Sequence, residues 1–268
     1  MKRIAVGMHH MKNSPDLVIL LRGLSREAEH WGYFPTKLQA HFPNAHIITP
    51  DLPGNGIKYR QSSPTSITDM VDVLRAELLP EIEGRSVCFI ALSMGAMVTL
   101  DWLNRYPGEI HKAVLMSTSL RGVSPFYQRL YPSSYRRLLY AMLLCHDLRH
   151  RETLIFELTS NINQKRDEII DCWCDSARRH PITRGNILRQ LYAAARYRVP
   201  QQKPDTEILL LAGLADAIVN PQCSQDLAKL WRYPLEIHES AGHDLPLDAP
   251  DWCCDKIVNW WSQTKSLE

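Results

Sequence analysis

Long apolar runs are missing from this sequence. None approaches the ~18 residues needed for a helix to cross a bilayer, so a helical membrane protein is not expected. The first ten residues, Met1 to His10, carry two positive charges but neither a long apolar region nor a small-residue cleavage site. A secretory signal is therefore not expected, and the cytoplasm is the expected location. The seven cysteines form an odd set without framework spacing, which argues against a disulfide scaffold and for reduced thiols. Cys172-Trp173-Cys174 and Cys253-Cys254 lack both the two-residue separation and the paired histidines of a zinc site, so no metal is expected. Internal repeats and low-complexity tracts are also absent.

What is present suits an ordinary globular chain. Its 268 residues, 45% hydrophobic and 22% charged, can build one large α/β domain or a domain carrying an insertion. The formal net charge of +2 hides a segregation. Arg121 to Arg198 holds 14 Lys/Arg against 7 Asp/Glu, a balance of +7 that leaves −5 for the rest.

The most informative stretch runs from Val87 to Met97. Val87 to Leu92 are six apolar or small residues after the turn Glu83-Gly84-Arg85, as in a strand covered on both faces. After Ser93 the period becomes helical, through Met94, Met97, Val98 and Leu100 to Trp102, until Tyr106-Pro107-Gly108 ends it. A serine at such a corner is forced into a strained backbone, tolerated only beside small residues such as Ala91 and Gly95. The strain holds the hydroxyl clear and aims the Met94 amide, the first free N–H of the helix, at the same space.

Around this corner strands alternate with helices. Candidate strands are Ile4 to Val6 at an edge, Leu17 to Leu21, Ala45 to Thr49, Lys112 to Met116, Thr206 to Ala212 and Leu235 to His238. Helices are expected at Glu27 to His41, Thr68 to Leu79 with Pro80 at its end, Pro221 to Leu230 and Ala249 to Trp261. This order predicts an α/β fold with a mainly parallel sheet and helices on both faces, its reactive groups gathered at the carboxyl ends of the strands. From Ser124 to Tyr197 only helical patterns occur: Tyr135 to Cys145, Glu152 to Thr159, Gln164 to Arg179 and Thr183 to Arg198. The reading is a core of residues 1–120 and 200–268 with a four-helix lid inserted at 121–199.

A serine hydroxyl needs a base within reach and a group that fixes the base's tautomer. Asp216 follows the Thr206 to Ala212 strand, and His243 stands in a Gly-His turn after the Leu235 to His238 strand. Ser117 to Leu120 offers no competing acid, and Asp244 and Asp248 read as helix or turn caps. Ser93, Asp216 and His243 in that order, each after a strand, resemble the triad of the α/β-hydrolase superfamily. The loop Asp51-Leu52-Pro53-Gly54-Asn55-Gly56 also resembles that family's Asp-x-x-Gly-x-Gly.

The resemblance implies an α/β-hydrolase fold and a serine hydrolase of the carboxylesterase type. Ser93 would be the nucleophile, His243 the base and Asp216 its orienting acid, with an acyl-enzyme resolved by water and no cofactor. Where the family reads His-Gly-x, this chain has Arg22-Gly23-Leu24, so the Leu24 amide inherits the second oxyanion role beside Met94. Arginine in place of histidine is a departure that could add positive charge near the oxyanion. Arg22 and Phe156 are the candidate substrate-binding residues.

The lid is rich in arginine, which a solvated helix surface would explain. The sharper alternative is docking of an anionic partner, with Arg136, Arg137, Arg178 and Arg179 as candidate contacts. Chain size, lid and charge are similar to the biotin-synthesis carboxylesterases, which cleave a pimeloyl methyl ester on acyl carrier protein. Ala91 and Met94 depart from the glycine and leucine usual in that group. Two other readings stay open: a lyase resembling the menaquinone-pathway α/β-hydrolases, and a ligand-binding signalling protein on the same scaffold. Haloalkane dehalogenation would need a carboxylate where Ser93 stands. Nucleic-acid binding is not expected, because the basic residues lack an aromatic stacking platform.

Overall fold

Leu17–Leu21 (β1) is fully buried, as its uninterrupted apolar sequence requires of a strand with both faces covered. The computed structural model describes residues 14–162 and 164–263; the strand expected at Ile4 to Val6 lies outside them. β1 is joined by His46–Ile48 (β2), Val87–Leu92 (β3), Lys112–Met116 (β4), Glu207–Gly213 (β5) and Leu235–His238 (β6). The six strands form one sheet in the order β2-β1-β3-β4-β5-β6, and every neighbouring pair is parallel. Registers such as Leu21 with Ala91 and Leu92 with Met116 bring the carboxyl ends of β1, β3 and β4 to one edge.

Strand alternation splits the core in two. Ile19, Phe89, Leu115 and Leu210 face Ile67–Ile82 (α2), Met94–Arg105 (α3) and Gln222–Trp231 (α9), with Trp102 edge-on to Phe89 at 5.2 Å. Val18, Leu20, Ile90 and Leu209 face Phe34–His41 (α1) and Pro250–Ser262 (α11). All seven cysteines are free thiols. Burial pushes the Cys88 thiol up to about 12, which makes it inert packing rather than a ligand.

Between β4 and β5 lie Phe126–Arg129 (α4), Pro132–Leu139 (α5), Leu148–Thr159 (α6), Arg166–Arg179 (α7) and Arg184–Arg196 (α8). These helices hold two apolar clusters of their own, one around Phe156 and Trp173 and one around Leu138, Met142 and Ile187. Leu245–Asp248 (α10) precedes α11. Among the described residues no helix is long and apolar enough to cross a membrane.

Several helix boundaries differ from the sequence reading. Among the described residues the insertion holds five α-helices rather than four, α4 being the unexpected one. Helix α6 starts at Leu148 rather than Glu152 because Asp147 caps it by accepting from the His150 amide. The expected Glu27 to His41 helix is a 3₁₀ turn, Ala28–Trp31, followed by α1, because Gly32 takes φ 54° and turns the chain between them. Helix α2 runs through Pro80 to Ile82, since a proline in the last turn forfeits only one ladder bond. The helix expected from Tyr135 starts earlier, with Pro132 at its first position, and widens into a π turn at Tyr140–Leu144.

Candidate active site

Ser93 stands between β3 and α3 with φ 56° and ψ −116°, a conformation that costs a β-carbon-bearing residue energy. Close packing holds it there. A β-carbon on Gly95 would lie 2.5 Å from the Leu21 carbonyl oxygen, and one on Gly23 would lie 3.0 Å from the Ser93 Cβ. The elbow is therefore wedged against the end of β1 through two glycines, one on each segment. Among the described residues the Ser93 hydroxyl and the Leu24 and Met94 amides make no hydrogen bond within the protein.

His243 and Asp216 meet directly: Nδ1 donates to Asp216 Oδ2 at 2.8 Å, leaving Nε2 as the acceptor nitrogen. The other carboxylate oxygen accepts from the Ile218 and Val219 amides at 2.8 and 2.9 Å, which fixes the acid in place. Two glycines let these loops cross closely. A β-carbon on Gly213 would lie 2.2 Å from the Ala241 carbonyl oxygen, and one on Gly242 2.9 Å from that of Thr159. Asp248 secures the crossing by accepting from the Gly242 amide at 2.6 Å and the Asn161 amide at 3.0 Å. Burial pulls the His243 pKa down, but the charge and hydrogen bond of Asp216 outweigh it and the net shift is upward.

Ser93 and His243 line one cavity of about 320 Å³, together with Gly23, Leu24 and Met94. Its remaining wall is mostly apolar: Met97, Leu138, Met142, Ile155 and Leu191 among others. The arrangement can do the chemistry of a base-activated hydroxyl beside two unpartnered amide donors. Hydrogen bonds between nucleophile and base are often long in a free site and tighten when substrate enters.

Some expectations need correction. Phe156 does not line this cavity; it is 2% exposed and packs on Trp173 inside the helical insertion, while its neighbour Ile155 reaches the cavity. Arg22 does line the cavity, but its charge is committed. Its two terminal nitrogens donate to Asp244 at 3.0 and 2.6 Å, and it lies over the Trp31 ring. Asp244 is accordingly an ion-pair partner and makes no side-chain cap. Of the candidate docking arginines, Arg137 pairs with Glu157, Arg178 with Asp175 and Arg179 with Glu29; Arg136 is exposed.

Sequence reasoning missed Gln190, a fully buried lid-segment residue. Its Oε1 accepts from the Ser25 amide at 2.8 Å, and its Nε2 donates to Asn55 and Ser63 at 2.8 and 2.9 Å. It therefore fastens α8 to the loop that carries Leu24. The signal was present: Asn186 and Gln190 are polar residues four apart on the buried stripe of α8. Glu27, Glu29 and His180 bring metal-ligand-type atoms within 4.8 Å of one another, yet they are engaged with each other and with Arg179.

Residues 18–256 match the Alpha/beta hydrolase family. The chain belongs to that family. Among solved structures, this α/β hydrolase is similar to a thermophilic esterase from Thermogutta terrifontis, with a TM-score of 0.72 and 17% identity over 92% of this chain and 89% of the other. It is also similar to 2-hydroxy-6-oxo-6-phenylhexa-2,4-dienoate hydrolase from Rhodococcus sp. strain RHA1, with a TM-score of 0.73 and 22% identity over 92% and 90%. An enol-lactonase from Burkholderia xenovorans LB400 gives 0.73 and 16% over 95% and 94%. At these identities the likeness is one of fold. No curated protein matches this α/β hydrolase.

Proposed function

We propose that the protein is a serine hydrolase that cleaves carboxylic esters or thioesters through Ser93, His243 and Asp216. The observation that carries this reading is the His243–Asp216 hydrogen bond at the wall of the cavity that Ser93 also lines. His243 Nε2 takes the hydroxyl proton as Ser93 attacks the carbonyl carbon, and Asp216 balances the imidazolium. The Leu24 and Met94 amides, which have no acceptor among the described residues, receive the oxyanion. His243 then protonates the leaving group, and water, activated by the same imidazole, resolves the acyl-enzyme. The helices between β4 and β5 supply much of the apolar wall and act as a lid.

A free small-molecule ester is the substrate tested first, and an ester held on acyl carrier protein is the second reading. Arg136 is exposed, and the surface ion pairs of Arg137, Arg178 and Arg179 are weak enough for an acidic partner to displace. The test is a series of p-nitrophenyl esters of graded acyl length, run with the parent protein and Ser93→Ala. The parent should show an initial burst, and the variant should lose about 10⁶ in kcat. Turnover without a burst would favour lyase-type proton transfer, and tight binding with negligible turnover would favour a ligand-binding role.

A further inference from the structure

Three arginines line the cavity: Arg22, Arg26 and Arg129. Arg22 is paired with Asp244 and Arg26 with Glu152, at 2.6 and 2.8 Å. Arg129, from α4, has no carboxylate partner among the described residues. Its terminal nitrogens donate to the Ala194 and Ala195 carbonyls in the last turn of α8, at 2.9 and 3.3 Å, and its Nε is buried with no acceptor. The titratable groups that act on it are Cys223, Arg121 and Tyr135, none of them a carboxylate. Burial, reinforced by Arg121, presses its pKa down, as expected of a charge that lacks an anion.

A helix C-terminus offers about half a negative charge and two of the acceptors a guanidinium can use. It leaves at least one N–H on each terminal nitrogen free. An uncompensated cation in a mostly apolar wall is costly in the empty site and favourable once an anion arrives. Tyr135, also in that wall, can add a hydroxyl donor. One planar cation and one phenol match a carboxylate, whereas a phosphate monoester would bring nearly two charges against one.

We propose that Arg129 is a specificity-determining residue and that the substrate is an ester bearing a free carboxylate, such as the monoester of a dicarboxylic acid. This rests on the hydrolase reading above. The ester is cleaved at Ser93, and the carboxylate takes no part in the bond changes.

The experiment compares a mono-p-nitrophenyl ester of a short dicarboxylic acid with the neutral p-nitrophenyl ester of matching length, using the parent protein, Arg129→Gln and Arg129→Lys. The parent should prefer the anionic ester. Arg129→Gln should lower the anionic-to-neutral ratio of kcat/KM by about tenfold to a hundredfold, mainly through KM, the loss expected for a hydrogen bond to a charged group. Arg129→Lys should recover part of the ratio. Equal losses on both esters would make Arg129 structural only, and absence of preference in the parent would also overturn the proposal. Calorimetric binding of the anionic ester to Ser93→Ala, lost when Arg129→Gln is added, tests the site without turnover. If hydrolysis instead survives Ser93→Ala, the triad reading fails while this binding result still stands or falls alone.

Discussion

Arg22 and Asp244, 222 residues apart, are joined by two parallel hydrogen bonds in a buried ion pair. The pair ties the loop after β1, which carries Leu24, to the turn that carries His243. Removing one partner leaves an uncompensated buried charge, a loss of about 3–5 kcal/mol, whereas replacing both with apolar residues is often nearly neutral. Arg22→Met and Asp244→Leu should each lower the urea midpoint sharply. The double variant should be more stable than either single one.

As the proposed base, His243 must be neutral to take a proton. With its pKa raised above 6.5, the acid limb of kcat/KM should be centred above that value. Asp216→Asn removes the main raising influence, so the limb should move to lower pH while kcat falls by about 10⁴. Stability follows the same linkage. A folded pKa above the unfolded one gives stabilisation that is full below about 6.5 and lost as pH rises through the folded pKa. Denaturation midpoints of Asp216→Asn should lack that part of the pH dependence.

Gln190 holds the Ser25 amide, one residue beyond Leu24. Gln190→Ala strands the partners that it satisfies, at about 1–3 kcal/mol for each group left buried without a partner. If the loop positions an oxyanion donor, kcat should fall about tenfold to a hundredfold with little change in KM, short of the 10²–10³ lost when a donor is removed outright. Gln190→Glu keeps the acceptor for Ser25 but turns its second oxygen, no longer a donor, toward Asn55 and Ser63 in a fully buried position, so it should stay below the parent in both kcat and stability. Steady-state kinetics of the two variants decide this.

Glu27 is buried beside His180, with one oxygen unpartnered, and burial pushes its pKa up to about 7 despite the opposing pull of His180. Asp51 and Glu29 add to the upward shift. Its contribution to stability is therefore full below about 4.5 and lost as pH rises through 7. Glu27→Gln should flatten the pH dependence of the unfolding free energy across that window.

The strands were legible because apolar runs bounded by turns leave little choice: β4 and β6 begin and end where the sequence places them. The elbow was legible because one serine joins a period of two to a period of 3.6. Contacts made only by tertiary structure were not. Nothing local links Arg22 to Asp244, and the sequence reads the latter as a cap. Phe156 and Ile155 share one apolar run, and a single step along a helix turns a side chain by about 100°, enough to exchange cavity wall for lid core. The break between Trp31 and Phe34 had a local signal: Pro35 cannot sit inside a helix and stands in the first turn of α1, and Gly32 supplies the positive φ that turns the chain before it.

Reaction with a fluorophosphonate, followed by peptide mass mapping, tests the proposed nucleophile most directly. The account predicts one adduct per chain, on the peptide containing Ser93, and almost none when His243 is replaced by alanine. An adduct on another residue, or an unmodified Ser93 in protein whose esterase activity has been abolished by the reagent, would contradict it.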